Sequence, residues 1–185
     1  YTPPPEYQTT EPDSLNSVDA IEAVLNDGKE VDSDRIKQAY EDSVRYLSEM
    51  YEKILAKLET EFDYIITLSD HGEAFGEHGI YGHVPSLVPE IVRVPLMITG
   101  DVSSKTVTTP VNLLDINQTI SDLAGISDPP RGQNILIDPD PNPTLTEAHG
   151  ISKWQRQSLQ ARDITNTKLK IIDQVRRGIS IDDYY

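Results

Sequence analysis

The 185-residue sequence has no cysteine. Disulfides, thiolate metal sites and a cysteine nucleophile are therefore excluded, and the redox compartment leaves no trace. Basic residues are scarce. Sixteen Lys and Arg stand against 31 Asp and Glu, for a net charge of -15. A surface of that sign repels polyanions, so neither nucleic acid nor an anionic membrane is expected as a partner. It suits simple solubility, and it suits a halophile, where concentrated salt screens repulsion between carboxylates. No apolar run approaches the roughly 18 residues of a membrane helix, and no signal-peptide pattern is present. The hydrophobic fraction of 37% is low for a domain whose length permits a sizeable core. An initiating methionine is missing as well: the chain starts Tyr1-Thr2-Pro3-Pro4-Pro5. That start is expected of a C-terminal fragment of a longer protein, so the compartment of the parent stays open. The sequence itself leans towards soluble and cytoplasmic.

Histidine is rare too, and its distribution is uneven. Of four histidines, three fall in Ser69-Asp70-His71-Gly72-Glu73-Ala74-Phe75-Gly76-Glu77-His78-Gly79-Ile80-Tyr81-Gly82-His83. Glycine at 72, 76, 79 and 82 costs too much for a helix, which excludes a zincin-type helix with two histidines on one face. The stretch reads as a loop dense in metal-ligating and proton-transferring groups. Asp63-Tyr64-Ile65-Ile66-Thr67-Leu68-Ser69, nearly all apolar and β-prone, precedes it and reads as a buried parallel strand. In open α/β sheets ligands bind beyond the carboxyl ends of strands, where Asp70 and His71 fall. A sharp turn at Gly72 would let both face one ion. Aspartate oxygen with imidazole nitrogen suits Mn, Zn, Mg or Fe, and Ca less comfortably.

Elsewhere the chain alternates helices and strands. Residues 1–13 form a proline-rich extended loop. Val18, Ile21, Val24 and Leu25 mark a short helix capped by Ser17 and ended by Asn26-Asp27-Gly28. Asp32 or Ser33 caps a long helix whose stripe, Ile36, Tyr40, Val44, Leu47, Tyr51, Ile54 and Leu58, is expected in the core. Glu49 and Lys53 form an i,i+4 pair on its outer side. Val94 to Thr99 reads as another buried strand, with Glu90 and Arg93 as a structural ion pair. Lys105 to Thr109 is β-prone. Leu113 to Leu123 is helical, stopped by Gly125. Residues 126–143 are a proline-rich surface loop and Thr144 to Ala148 a strand. Ser158–Arg162 and Lys168–Asp173 read as a β-hairpin about Asn166, and the Asp182-Asp183-Tyr184-Tyr185 tail as frayed.

The run Ser69-Asp70-His71-Gly72-Glu73, then Gly76-Glu77-His78-Gly79, Gly82-His83 and Glu90-Ile91-Val92-Arg93-Val94-Pro95-Leu96, resembles the sulfatase family of the alkaline phosphatase superfamily. Phosphonate monoester hydrolases, phosphoglycerol transferases and choline sulfatases share much of this segment. The resemblance extends, with gaps, from Tyr1 to about Asp173. It includes Leu113-Leu114-Asp115-Ile116-Asn117-Gln118-Thr119, similar to a Leu-Leu-Asp-x-x-Pro-Thr segment in which Gln118 replaces the usual proline. Arg162 and Lys168-Leu169-Lys170-Ile171 look like the Arg and Lys-Tyr-Ile of the family's closing sheet. The proline-rich start is similar to a stretch that follows a substrate-contacting histidine.

The resemblance implies an α/β fold, part of an alkaline-phosphatase-like sandwich with a mainly parallel sheet, then a small C-terminal antiparallel sheet. Residues 1–143 would be the C-terminal portion of that core, with the metal loop at 69–83, and 144–185 a small β subdomain. It implies one divalent metal (Mn, Ca, Mg or Zn), with Asp70 and His71 as ligands and two earlier aspartates outside this chain. His83 takes the place of a lysine set against the sulfate and leaving oxygen, and would act as catalytic acid. Glu73, Glu77 and His78 would steady the loop by hydrogen bonds. The nucleophile, formylglycine or serine, would lie in the missing N-terminal part of the same protein. Ser127-Asp128-Pro129-Pro130-Arg131 fits the Cys/Ser-x-Pro-x-Arg nucleophile pattern, but it comes after the Asp-His-Gly strand instead of before it and reads as chance. His149 is isolated. The implied activity is hydrolysis of a small sulfate ester. Phosphoric or phosphonic monoester hydrolysis or transfer, and a non-catalytic assembly module, are the alternatives.

Overall fold

A computed structural model describes residues 2–10, 16–26, 31–127, 132–137 and 139–180. The chain forms two compact units, one from Tyr1–Gly100 with Ala148–Arg176, the other from Asp101–Glu147 with Arg177–Tyr185.

In the first unit, α1 (Ser17–Leu25) starts at Asn16, whose side chain accepts from the Val18 and Asp19 amides. Asn16, rather than Ser17, is thus the cap, because its carboxamide oxygen reaches two of the free N–H groups of the first turn. α2 (Ser33–Leu58) is capped by Asp32, which accepts from the Arg35 amide. The chain then enters β1 (Tyr64–Leu68), the short ribbon β2 (Ala74–Phe75) and β3 (Tyr81–Gly82), α3 (Pro89–Val92) and β4 (Leu96–Gly100). It returns through α5 (Lys153–Gln160) and α6 (Asn166–Ile172). The second unit contains α4 (Leu113–Leu123) and most of two paired strands, β5 (Thr144–His149) and β6 (Val175–Ser180).

Three expectations change here. First, β1 pairs antiparallel with β4, from Tyr64 opposite Gly100 to Leu68 opposite Leu96. Neither strand is fully buried, and Leu68 and Met97 are exposed. An apolar run shows that a strand can be covered on both faces; it does not fix the direction of its neighbour or supply the cover. Second, the α2 stripe is not core. Val44, Leu47 and Ile54 are 43%, 64% and 53% exposed, and the buried residues of the helix are Ala39 and Asp42. Periodicity identifies a face, not what packs on it.

Third, 158–173 is two helices rather than a hairpin. Ser152 and Gln155 form a capping box, and the Thr165 side chain accepts from the Lys168 amide. These caps, with Leu159, Leu169 and Ile172 buried at helical spacing, outweigh the β-propensity of the isoleucines. Likewise Lys105–Thr109 forms no strand. The nucleophile-like motif lies outside the described residues beyond Ser127, as do Asp27-Gly28 and the Asp182–Tyr185 tail.

The core of the first unit joins α1 to the C-terminal helices. Val18, Ile21 and Leu25 pack with Leu159, Ile164, Leu169 and Ile172, and Val84 completes the cluster. Each fully buried aliphatic side chain of this kind contributes about 1.5–3 kcal/mol. Val84 directly follows His83, so this core anchors the end of the histidine loop.

Two further ties hold the N-terminal segment and α5. Asp42, 1% exposed, accepts from the Thr9 amide at 2.7 Å, the Thr9 hydroxyl at 3.0 Å, Gln38 Nε2 at 3.2 Å and Arg45 at 3.1 Å. The Thr9 amide bond is the main reason its carboxyl titrates below the ordinary carboxylate range. Arg156 pairs with Asp173 at the end of α6.

In the second unit, Asn112 and Asp115 make a capping box at the start of α4, and Gly125 ends it with φ +67°. Asp115 also accepts from the Gln133 amide, and Thr119 Oγ1 from the Ile135 amide, which tie the following loop to the helix. Gln118, at the family's proline position, sits inside α4. No helix among the described residues is long and apolar enough to cross a membrane.

Candidate metal and proton-transfer site

β1 ends at Leu68, and Ser69 and Asp70 emerge from its carboxyl end. The Ser69 hydroxyl donates to the His71 carbonyl at 2.7 Å, and the Asp70 carboxylate accepts the His71 amide at 3.0 Å. The turn that follows depends on Gly72, for a reason the sequence did not show. Its φ is not positive. A Cβ there would lie 2.0 Å from the Glu90 carbonyl oxygen, and the Gly72 amide donates to the Ile91 carbonyl at 2.8 Å. The backbone just before β4 thus lies against the loop, leaving room only for glycine.

The β2–β3 ribbon then reverses the chain. Ala74 faces Gly82 and Phe75 faces Tyr81. Positive φ angles at Gly76, His78 and Gly79 make the turn. Phe75 rests edge-on against Tyr40 of α2, with ring centroids 5.0 Å apart. One step beyond the ribbon, the same register sets Glu73 opposite His83. Their contact follows: His83 Nδ1 lies 3.2 Å from Glu73 Oε2.

The ribbon also carries His83 onto His71. Their rings stack with centroids 4.2 Å apart and 25° between planes. His71 Nδ1 lies 3.0 Å from the Gly72 carbonyl oxygen. A carbonyl and a carboxylate can only accept, so each Nδ1 carries the proton and each Nε2 keeps its lone pair in the neutral ring. His71 Nε2 stands 3.7 Å from Asp70 Oδ2. The Asp70 side chain is 87% exposed. One donor atom each from His71, Glu73 and His83 lie within 4.8 Å of one another.

The other two residues singled out in this loop stand apart. Glu77 accepts the Phe75 amide at 2.6 Å. His78 Nε2 lies 3.6 Å from Glu90 Oε2, a buried oxygen with no hydrogen-bond partner. His149 is exposed on β5, away from the loop in sequence.

Two features beside the site had no signal in the sequence. One is an open pocket of about 470 Å³ bounded by Tyr40, Val44 and Leu47 of α2 and by Asp70, His71 and Glu73. The exposed apolar face of α2 thus borders the loop. The other is Arg176, whose guanidinium donates to the Pro85 carbonyl at 2.9 Å and to the Ile171 and Ile172 carbonyls at the end of α6. Arg176, 91 residues from Pro85, thus ties the segment after His83 to the end of α6. Arg162, expected beside the closing sheet, instead bridges Asp19 and Glu22 of α1, and its hydrogen bond to Asp19 is the main cause that raises its pKa.

The family model described as Sulfatase matches residues 1–126. The choline-sulfatase of Rhizobium meliloti (strain 1021) is 34% identical over 98 residues, which are 50% of this chain and 19% of that protein. YidJ of Escherichia coli (strain K12), an uncharacterized sulfatase, is 33% identical over 90 residues, 47% of this chain and 18% of its own length. The chain therefore covers less than a fifth of either relative. No solved structure matches it. With more than half of its length matched by that model, the chain belongs to the sulfatase family.

Proposed function

We propose that this chain is the C-terminal portion of a metal-dependent sulfuric ester hydrolase and supplies half of its metal site together with the acid for the leaving group. One observation carries the reading: the ribbon stacks His83, held by Glu73, on His71 beside Asp70 at the end of β1. The donor set fits a divalent ion. His71 commits Nδ1–H to a backbone carbonyl and leaves Nε2 facing the Asp70 carboxylate, as metal-binding histidines commonly do. Asp70 and His71 would hold the ion. When bound, it neutralises negative charge on the group being transferred.

The chain's own residues do the rest. The hydrogen bonds around Ser69, Asp70 and His71 fix the turn that presents the ligands. Glu73 accepts the Nδ1 proton of His83 and orients the ring, so that in its protonated form Nε2–H can pass a proton to the leaving oxygen. Glu77 and His78 brace the ribbon. The remainder of the same protein would supply two further aspartates and a formylglycine or serine nucleophile, and would cover the apolar face of α2. In that arrangement 1–143 belongs to a sandwich with a mainly parallel sheet, and 144–185 closes it. The substrate is a small sulfate ester. The R. meliloti relative is named a choline-sulfatase, which favours a sulfate over a phosphate ester.

The test uses the longer protein that contains this chain. Asp70→Ala removes metal and nearly all turnover together. His83→Ala keeps the metal and lowers turnover by roughly 10²- to 10⁴-fold, most for esters with poor leaving groups. Metal analysis alongside aryl sulfate hydrolysis reads both. Loss of metal from His83→Ala would make His83 a ligand and end its role as acid. Turnover by the isolated 185-residue chain would overturn the division of the site between two parts of the protein.

A further inference from the structure

The cluster around His83 has a second use. We propose that His71, Glu73 and His83 form a capture site for a zinc-class ion, distinct in donor set from the Asp70–His71 pair and inhibitory to it. The proposal rests on the role assigned to His83 above. His83 Nδ1 and Glu73 Oε2 stand 3.2 Å apart. Two ligands of one tetrahedral ion, each about 2.1 Å from it, are separated by about 3.4 Å. The proton between Nδ1 and the carboxylate therefore occupies a space that a small divalent ion fits. A nitrogen of His71 lies within 4.8 Å of the pair, and a turn of its ring out of the stack on His83 aims that lone pair at the ion and completes three ligands.

Three protein ligands with an open fourth position, two imidazoles and one carboxylate, are what zinc takes at open sites. Two nitrogens select zinc, copper or nickel over calcium and magnesium, which prefer oxygen alone. The backbone supports the pairing. The β2–β3 register sets Glu73 opposite His83, and Val84 in the core fixes the far end of the loop. An ion bound through Nδ1 takes over the Glu73 contact that orients His83 and draws the ring towards His71, so it displaces the acid from the leaving oxygen. A second consequence is competition. His71 cannot serve both sets fully, so the captured ion also weakens the hold on the ion at Asp70.

Calorimetric titration of Zn²⁺ into the 185-residue chain tests the site. Folding of each variant is checked by circular dichroism. One equivalent binds saturably, and Mg²⁺ and Ca²⁺ bind at least 100-fold more weakly. Imidazole NMR signals of His71 and His83 shift together at one equivalent, while those of His78 and His149 stay in place. Glu73→Gln weakens binding by about 10- to 100-fold, His83→Ala abolishes it, and His78→Ala leaves it unchanged. No saturable Zn²⁺ binding, equal affinity for Mg²⁺, or Zn²⁺ binding that survives His83→Ala overturns the proposal. Glu73 lies outside the Asp70–His71 pair, so Zn²⁺ capture that is unaffected by Glu73→Gln defeats this proposal while leaving the Asp70→Ala result in the longer protein as the separate test of the first reading.

Discussion

Gly72→Ala tests how the site turn is held, and its cost can be worked from the structure. A Cβ on residue 72 meets the Glu90 carbonyl oxygen at 2.0 Å, the Glu90 carbonyl carbon at 3.0 Å and Ile91 Cα at 3.3 Å. All three atoms are backbone, so no side chain can swing aside. The loop or the segment before β4 must retreat by more than about 1 Å to restore ordinary contact. Forcing a methyl group into packed surroundings costs about 1–3 kcal/mol. The retreat also stretches the 2.8 Å bond from the Gly72 amide to the Ile91 carbonyl, worth about 1 kcal/mol. Because φ at Gly72 is not positive, alanine returns some stability by restricting the unfolded chain, roughly 0.4–1 kcal/mol. The net loss is then roughly 1–3.5 kcal/mol. At about 1–3 kcal/mol per M of urea, the midpoint falls by about 1 M. Gly79→Ala is the comparison. Nothing lies within 4 Å of a Cβ there, but φ is +70°, so it carries backbone strain without a clash. Urea unfolding followed by circular dichroism measures both stabilities. NMR reads whether the His71 ring still stacks on His83. The expectation is that Gly72→Ala disturbs the stack and Gly79→Ala does not. An unchanged midpoint and unchanged histidine signals in Gly72→Ala would refute the close approach.

Three more outcomes are expected. Asp42, held below its ordinary pKa chiefly by the Thr9 amide, stabilises the fold fully above the unfolded value near 4, and that contribution disappears as pH falls through the lower folded value. Asp42→Asn should therefore lower Tm at pH 7 and lose less than the parent chain on acidification; equal acid limbs in a pH–Tm series would contradict this. Molar KCl should raise Tm, since the charge of -15 is screened within about 3 Å at 1 M, and a flat or falling Tm would count against adaptation to salt. Arg176→Ala removes the donor shared by Pro85 and the end of α6, so hydrogen exchange across 83–88 should accelerate about tenfold or more while α2 stays protected; uniform protection would show that the tie is idle.

Local signals in the sequence located much of the fold. The spacing of α1, α2 and α4, the Gly125 stop of α4, and the β-prone runs at 63–69, 94–99 and 144–148 fall within a residue or two of the elements the chain forms. Each depends on neighbours a few residues away, which a single sequence displays. The histidine loop was legible for the same reason: rare residue types and recurrent glycines are local facts, and its motif led to the family that the 1–126 match shows. Tertiary structure decided what local patterning leaves open. The direction of β1 against β4 depends on a partner some thirty residues away, and the exposure of Val44, Leu47 and Ile54 depends on what packs against α2. Gly72 reads from sequence as a flexible turn, whereas the structure requires it for space beside Glu90. The pairing of Glu73 with His83 and the stack of His83 on His71 follow from ribbon register, set by a turn whose φ angles no residue spacing reveals. Arg176, far from the loop in sequence, reaches Pro85 because α6 packs against the same core that anchors Val84. Long-range contacts of this kind depend on how buried faces meet, and no stretch of sequence read alone contains that information.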